Sequence, residues 1–265
     1  MKKKKLHGHW IDLWREIKGE KWDIIIDLRN TLLSRVIKCD QKYIYSSMIG
    51  ADLHKVEQYS NVLETPVLAH PVIWSTAEQE KKAAALIPDG GPVLAMGPTA
   101  NWIGKMWPVE RFISVQETLT GPNGILPGAR VAVFAAPGEE LIANKLLMSI
   151  DEDRRIDVIA KVDPGTAATA IKRCDLYVGN DSGLMHCAAA ARVPTVGLFG
   201  PSYPGLYGPW GEHTTFVSTP ETYDELIAFE GYHPDTLEFS LMDSLKTGTV
   251  LEEIKKFWDK HRKAA

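Results

Sequence analysis

Short apolar runs alternate with amphipathic stretches along most of this chain. Residues 22–28, 93–96, 130–135, 157–159, 176–178 and 195–199 are compact apolar blocks rich in Val, Ile and Leu, and a briefer one closes at 216–218. Continuous runs of that kind read as strands buried on both faces, the pattern of a parallel sheet. A further short strand is predicted at 42–45. Between the runs, helical patterns occupy 52–63, 76–86, a segment from Val109, a segment after Glu140, then 164–173, 185–191 and 250–262. Ahead of the first strand, Leu6, Trp10, Leu13, Trp14 and Ile17 recur at helical spacing. Strands in alternation with helices predict an α/β fold built on parallel sheet. The cluster Pro88-Asp89-Gly90-Gly91-Pro92 marks the expected border between two domains, 1–89 and 90–265, with 66–75 as connecting chain. The terminal helix, 250–262, is expected to pack back on the first domain.

One stretch organises the rest: DLYVGNDSGLMHCAAAARVPTVGLFGPSYPGLYGPWG, from Asp175 to Gly211. A strand runs into the polar turn Gly179-Asn180-Asp181-Ser182-Gly183, an alanine-rich helix follows, and Pro194 ends it before the next strand. Asp181 or Ser182 can cap that helix. Gly183 lets a ligand approach the backbone, and a helix N-terminus after such a turn is suited to phosphate. His186 lies one turn in. A capped helix with a surface histidine explains the turn alone equally well. The glycine- and proline-rich loop from Gly200 to Gly211 shifts the balance, because loops beyond the C-terminal ends of parallel strands are where open α/β sheets bind ligands.

The stretch closely resembles the C-terminal signature of glycosyltransferase family 9, the heptosyltransferases of lipopolysaccharide synthesis. The match is carried by Asp181-Ser182-Gly183, His186, the alanines 188–190, and Gly200-Pro201-Ser202; it continues loosely from about Trp22 to the C-terminus. The resemblance implies a GT-B-like architecture of two Rossmann-like domains, the N-terminal one incomplete. It implies an inverting transfer from an ADP-sugar, with no metal and no cofactor. In Lys105-Met106-Trp107-Pro108, followed by Glu110-Arg111-Phe112, it implies a donor-phosphate segment, with Lys105 as the phosphate cation. Thr99 and Asn101 fall where the family places donor contacts, although this chain departs in detail there. Glu139, with Glu140 as alternate, is the ribose carboxylate by the same analogy; a glutamate satisfying a helix start is the plainer reading. Lys161 and Val162 fall where the family has backbone around adenine. The diphosphate is expected on the N–H groups of Ser182, Gly183 and Leu184, beside His186 and facing an inter-domain cleft. Asp181 is then expected to hold sugar hydroxyls, since like charges repel.

The first domain departs from the pattern. The family's opening strand and G-[DE] loop, which carry the general base, have no match here. Asp12, Asp23 and Asp27 sit in no equivalent motif, so the base is unassigned, and a fragment, a shortened gene product or a degenerate relative is expected. Asp27 and Arg29 are candidate acceptor contacts or ordinary strand-end residues.

Composition narrows the classes. The 265 residues are 45% hydrophobic and 24% charged, with formal net charge −4, a globular balance that does not suggest nucleic-acid binding. Cys39, Cys174 and Cys187 form no C-x-x-C pair, and no apolar run reaches membrane-span length. A cytoplasmic location is expected, at the inner face of the inner membrane if the basic N-terminus touches lipid. The helix behind Lys2–Lys5 reads either as a membrane-surface helix or as one packed on the sheet; the second is preferred because the following strand needs cover. The partners expected are a nucleotide-sugar donor and a lipopolysaccharide or other glycan acceptor, with no nucleic acid. A nucleotide-sugar-binding domain without turnover and a sugar-nucleotide epimerase are the alternatives.

Overall fold

The computed structural model describes residues 8–46, 48–65 and 67–264, with side chains to residue 261. Leu6, the four lysines before it and residue 66 lie outside the described residues. The chain divides into two compact units, Met1–His70 and Pro71–Ala265. The division falls ahead of the border read at 89/90. The reason is helix α4 (Ala77–Leu86), whose Ala83, with Ile87 just beyond, packs into the second unit's core beside Ile171. Ser75, before α4, takes hydrogen bonds from Thr169 and Lys172.

In the first unit, β1 (Trp22–Asp27) and β2 (Cys39–Ile44) pair in parallel, with α1 (Gly8–Ile17), α2 (Leu33–Val36) and α3 (Lys55–Val62) around them. The expectation that β1 is buried on both faces does not hold. Ile24 and Ile26 are 51% and 52% exposed, because a two-stranded sheet is covered on one face at most. Nor does α1 seal the sheet: it has no buried residue. It lies alongside, with Trp22 Nε1 donating to Ile17 O at 3.1 Å, and Trp10 and Ile17 share a cavity wall with Ile25 and Ile26.

The second unit holds six parallel strands: β3 (Val93–Gly97), β4 (Arg130–Ala135), β5 (Arg155–Ile159), β6 (Leu176–Asn180), β7 (Thr195–Phe199) and β8 (Thr214–Ser218). Their spatial order is β5-β4-β3-β6-β7-β8, the 3-2-1-4-5-6 arrangement of a doubly wound sheet. Alternate residues of each strand point to opposite faces. Leu94, Met96, Val131, Val133, Val178 and Leu198 pack against α5 (Val109–Thr120), α6 (Glu140–Ser149) and α11 (Thr247–Ala264). Val93, Ala95, Phe134, Tyr177 and Phe199 pack against α4, α7 (Pro164–Ile171) and α8 (Gly183–Ala190). The terminal helix α11 buries Val250, Ile254 and Phe257 in this unit's own core, where α5 and β8 supply its apolar partners. Two short helices, α9 (Pro204–Tyr207) and α10 (Tyr223–Ile227), lie in the long connections after β7 and β8.

Candidate functional site

The strand order reverses between β3 and β6, and a crevice at such a switch point is where a doubly wound sheet takes ligands. The loops leaving β3, β4 and β6 carry most of the candidate residues. The three helices that lead back from these strands, α5, α6 and α8, have no side-chain cap. By contrast α3, α4 and α10 have capping boxes, and Asp163 caps α7.

At α8 the expected cap is absent. Ser182 occupies the N-cap position with extended backbone (φ −151°, ψ 168°) and makes no capping hydrogen bond. Asp181 does not cap it either; its carboxylate turns to Lys105. The first-turn N–H groups are therefore not taken by a side chain, and they carry the positive end of the helix dipole. A Cβ on Gly183 would meet nothing within 4 Å, so this glycine keeps open space clear rather than serving internal packing.

Lys105 reaches Asp181 from the β3 loop. Its Nζ lies 2.5 Å from Asp181 Oδ2, which also accepts from Ser202 Oγ at 2.7 Å. His186 Nε2 is 3.9 Å from Asp181 Oδ1. The side chain of Asp181 is only 7% exposed, against 21% for Lys105 and 45% for His186. Asp181 is thus committed to holding the lysine, and little of it faces outward for a sugar hydroxyl. The loop that delivers Lys105 is itself anchored. Buried Asn180 accepts from Trp107 N at 3.1 Å and donates to Pro98 O at 2.8 Å. Trp107, also buried, donates from Nε1 to Leu245 O at 2.9 Å. Asn180, Trp107 and Ser202 stand inside the motifs read from the sequence, but these bonds were not legible there, since their partners lie on other strands and loops.

Beside the α8 turn is a cavity of about 580 Å³. Thr99, Asn101, Glu139, Ser182, Gly183 and Leu184 all line it, with an apolar wall of Phe134, Val158, Val162 and Ala167. Glu139 Oε2 accepts from Thr99 Oγ1 at 2.6 Å and from Ala136 N at 3.0 Å. Glu140 instead accepts from Gly138 N at 2.9 Å; its own N–H and that of Gly138 hold its carboxyl below the ordinary value. Of the two glutamates, Glu139 is the one on the cavity wall. Val162 is on that wall too, whereas Lys161 is outside it and pairs with Asp157 at 2.7 Å.

In the first unit, Asp27 is occupied by its own turn. It accepts from Arg29 N at 3.0 Å, Thr31 N at 2.7 Å and Thr31 Oγ1 at 2.8 Å. Burial raises its pKa, but the hydrogen bonds from Ser34, Arg29 and Thr31 outweigh that and hold the carboxyl below its ordinary value. A carboxylate so held is a poor proton acceptor. Among the described residues no group of three His, Cys, Asp or Glu is placed to hold a metal ion.

The model of glycosyltransferase family 9 (heptosyltransferase) matches residues 10–228, the first strand and the whole β3–β8 sheet included. The chain belongs to glycosyltransferase family 9. Among curated relatives, "Lipooligosaccharide heptosyltransferase 2" of Haemophilus influenzae is 28% identical over 175 residues, 62% of this chain and 48% of that protein. Among solved structures, the glycosyl transferase family 9 protein from Veillonella parvula superposes with TM-score 0.74 at 22% identity, covering 98% of this chain and 81% of the other. E. coli heptosyltransferase WaaC with ADP gives TM-score 0.66 at 18% identity, covering 94% and 77%. These structures share the fold. The chain spans about half the length of the curated relatives it matches. Lys105 meets Asp181 at the turn before α8, while Glu139 lines the cavity beside that turn together with Ser182, Gly183 and Leu184.

Proposed function

We propose that this chain is an inverting glycosyltransferase that moves heptose from an ADP-sugar to a lipopolysaccharide core acceptor. The observation that carries the reading is the uncapped N-terminus of α8, with open space at Gly183 and Lys105 held beside it, next to an apolar-walled slot of about 580 Å³. The slot suits a planar base, Glu139 the ribose hydroxyls, and the α8 N–H groups the diphosphate. A lysine ammonium has three donors, so Lys105 can keep Asp181 and still meet a phosphate oxygen. Asp181 in this reading orients the lysine, and His186 adds a donor at the rim. As the bond to the sugar breaks, negative charge grows on the diphosphate, where fixed N–H dipoles and a held ammonium stabilise it. No metal or cofactor is required, and activity is expected to survive a chelator.

The curated relatives are named as lipopolysaccharide or lipooligosaccharide heptosyltransferases, and one structural neighbour was solved with ADP. Both support the choice of donor and acceptor. The work is proposed to occur at the cytoplasmic face of a membrane. No helix among the described residues is long and apolar enough to cross one. Contact would be peripheral, through exposed Ile11, Trp14, Leu32 and Val36 of the first unit, whose sequence carries an excess of Lys and Arg.

A second reading is binding without turnover. It is favoured by one observation: Asp27, the buried carboxylate of the first unit, is tied up by its own turn and held in its ionised form. Titration calorimetry with ADP and ADP-heptose, followed by mass detection of heptose on a lipopolysaccharide core, separates the two. Binding with transfer supports the enzyme, binding without transfer the second reading, and absence of both overturns the site.

A further inference from the structure

Two buried hydroxyls beneath the α8 turn have no hydrogen-bond partner among the described residues: Tyr177 OH and Ser182 Oγ. They lie at the same strand end: the Tyr177 oxygen sits where a Cβ on Gly97 or Gly179 would be, three residues ahead of Ser182, and Ser182 lowers the phenol pKa against the larger effect of burial. A buried polar group left in that state is destabilising, and native proteins rarely keep one without a use. Phenylalanine would fill the same core without the orphan.

The room for this phenol is built into the sheet. Tyr177 pairs with Ala95, and two residues further along both strands Gly97 pairs with Gly179. A Cβ on either glycine would overlap the Tyr177 hydroxyl. The ring therefore runs along the sheet toward the edge where α8 begins, and two glycines leave space for its oxygen. Burial raises the phenol pKa, so the group stays protonated and able to donate. The neighbouring Glu139 already accepts from Thr99 and Ala136. The Ser182 hydroxyl, for its part, does not cap α8.

We propose that Tyr177 is a positioning residue of the phosphate site: its hydroxyl donates to Ser182 Oγ, so that Ser182 aims its own hydrogen at a diphosphate oxygen seated on α8. The inference rests on the reading of α8 as the diphosphate seat. The two hydroxyls form a relay that is completed only when phosphate is present. Tyr177 touches no ligand, and its effect passes entirely through Ser182.

The test compares wild type, Tyr177→Phe, Ser182→Ala and the double variant by calorimetry with ADP and with adenosine, alongside thermal melting without ligand. Tyr177→Phe is expected to bind ADP about tenfold more weakly, because Ser182 loses the bond that aims its own hydrogen at the charged phosphate, and adenosine as wild type does. Its ligand-free melting temperature is expected to equal or exceed that of wild type, because an unpaired buried hydroxyl is removed. The double variant is expected to bind ADP no worse than Ser182→Ala. Unchanged ADP affinity in Tyr177→Phe, equal losses for ADP and adenosine, additive losses in the double variant, or a lowered ligand-free melting temperature with unchanged ADP binding would each overturn the relay. If wild type binds adenosine and ADP equally well, the phosphate seat itself is wrong and the relay falls with it.

Discussion

Lys105 is held at 2.5 Å by a carboxylate that is nearly buried, so its long side chain has already lost much of its rotamer freedom. A cation fixed in advance loses little more entropy when phosphate arrives, which is the sense in which the site is preorganised. Lys105→Ala is expected to weaken ADP binding by about 1.5–3 kcal/mol, the size of a charge-assisted hydrogen bond. Calorimetry on the folded variant checks it, and an unchanged affinity would remove Lys105 from the site. Asp27 yields a prediction of a different kind. Its folded-state pKa is lowered, so the stabilisation it gives is present above the unfolded-state carboxyl value and is lost as pH falls through the folded one. Asp27→Asn should therefore destabilise the first unit by about 1 kcal/mol at neutral pH and match wild type once the pH falls below the folded-state value. Urea unfolding across that pH range, read by fluorescence of the tryptophans around β1, would show the two curves converging; parallel curves would rule out the carboxylate's role.

At the scale of elements, α8 is a helix whose start has been left without a side-chain partner in a chain that caps α3, α4, α7 and α10. Gly183→Val should leave the fold intact, because the first added atom meets nothing, yet it should obstruct the diphosphate. The expected result is an unchanged far-ultraviolet circular dichroism spectrum and melting temperature with at least tenfold weaker ADP binding; full affinity would refute the placement. The β3–β6 ladder makes the opposite demand. Gly97→Ala should destabilise the second unit by about 1–3 kcal/mol, as overpacking does, through overlap with the Tyr177 hydroxyl. In a Tyr177→Phe background much of that loss should disappear, which a double-mutant cycle by chemical denaturation measures directly.

Across the whole molecule, charge is unevenly shared. Residues 1–70 carry 12 Lys and Arg against 9 Asp and Glu, whereas residues 71–265 carry 18 against 25. The basic unit is also the one that exposes Ile11, Trp14, Leu32 and Val36. Apolar side chains next to cations bind anionic lipid surfaces by burial and by attraction together. The protein is expected to sediment with vesicles containing phosphatidylglycerol and far less with pure phosphatidylcholine, with salt weakening the association. Ile11→Ser with Trp14→Ser should reduce it severalfold, and equal binding to both vesicle types would dismiss the electrostatic part.

The alternation of apolar runs with helical patterns was enough to establish a parallel α/β fold, because burial on both faces leaves strands no polar positions. The motif around Asp181-Ser182-Gly183 was legible for a related reason: a strand, a tight polar turn and a helix start within a few residues of one another, and local order settles their geometry. Contacts across the sheet lay beyond the sequence. The bond from Ser202 to Asp181, the clamp of Asn180 on Trp107 and Pro98, and the space that Gly97 and Gly179 leave for Tyr177 join residues on different strands and loops. The exposure of β1 was equally out of reach, since Asp23-Ile24-Ile25-Ile26 reads the same whether a layer covers it or not. Periodicity reports which face an element would bury; only the packed structure decides what meets that face.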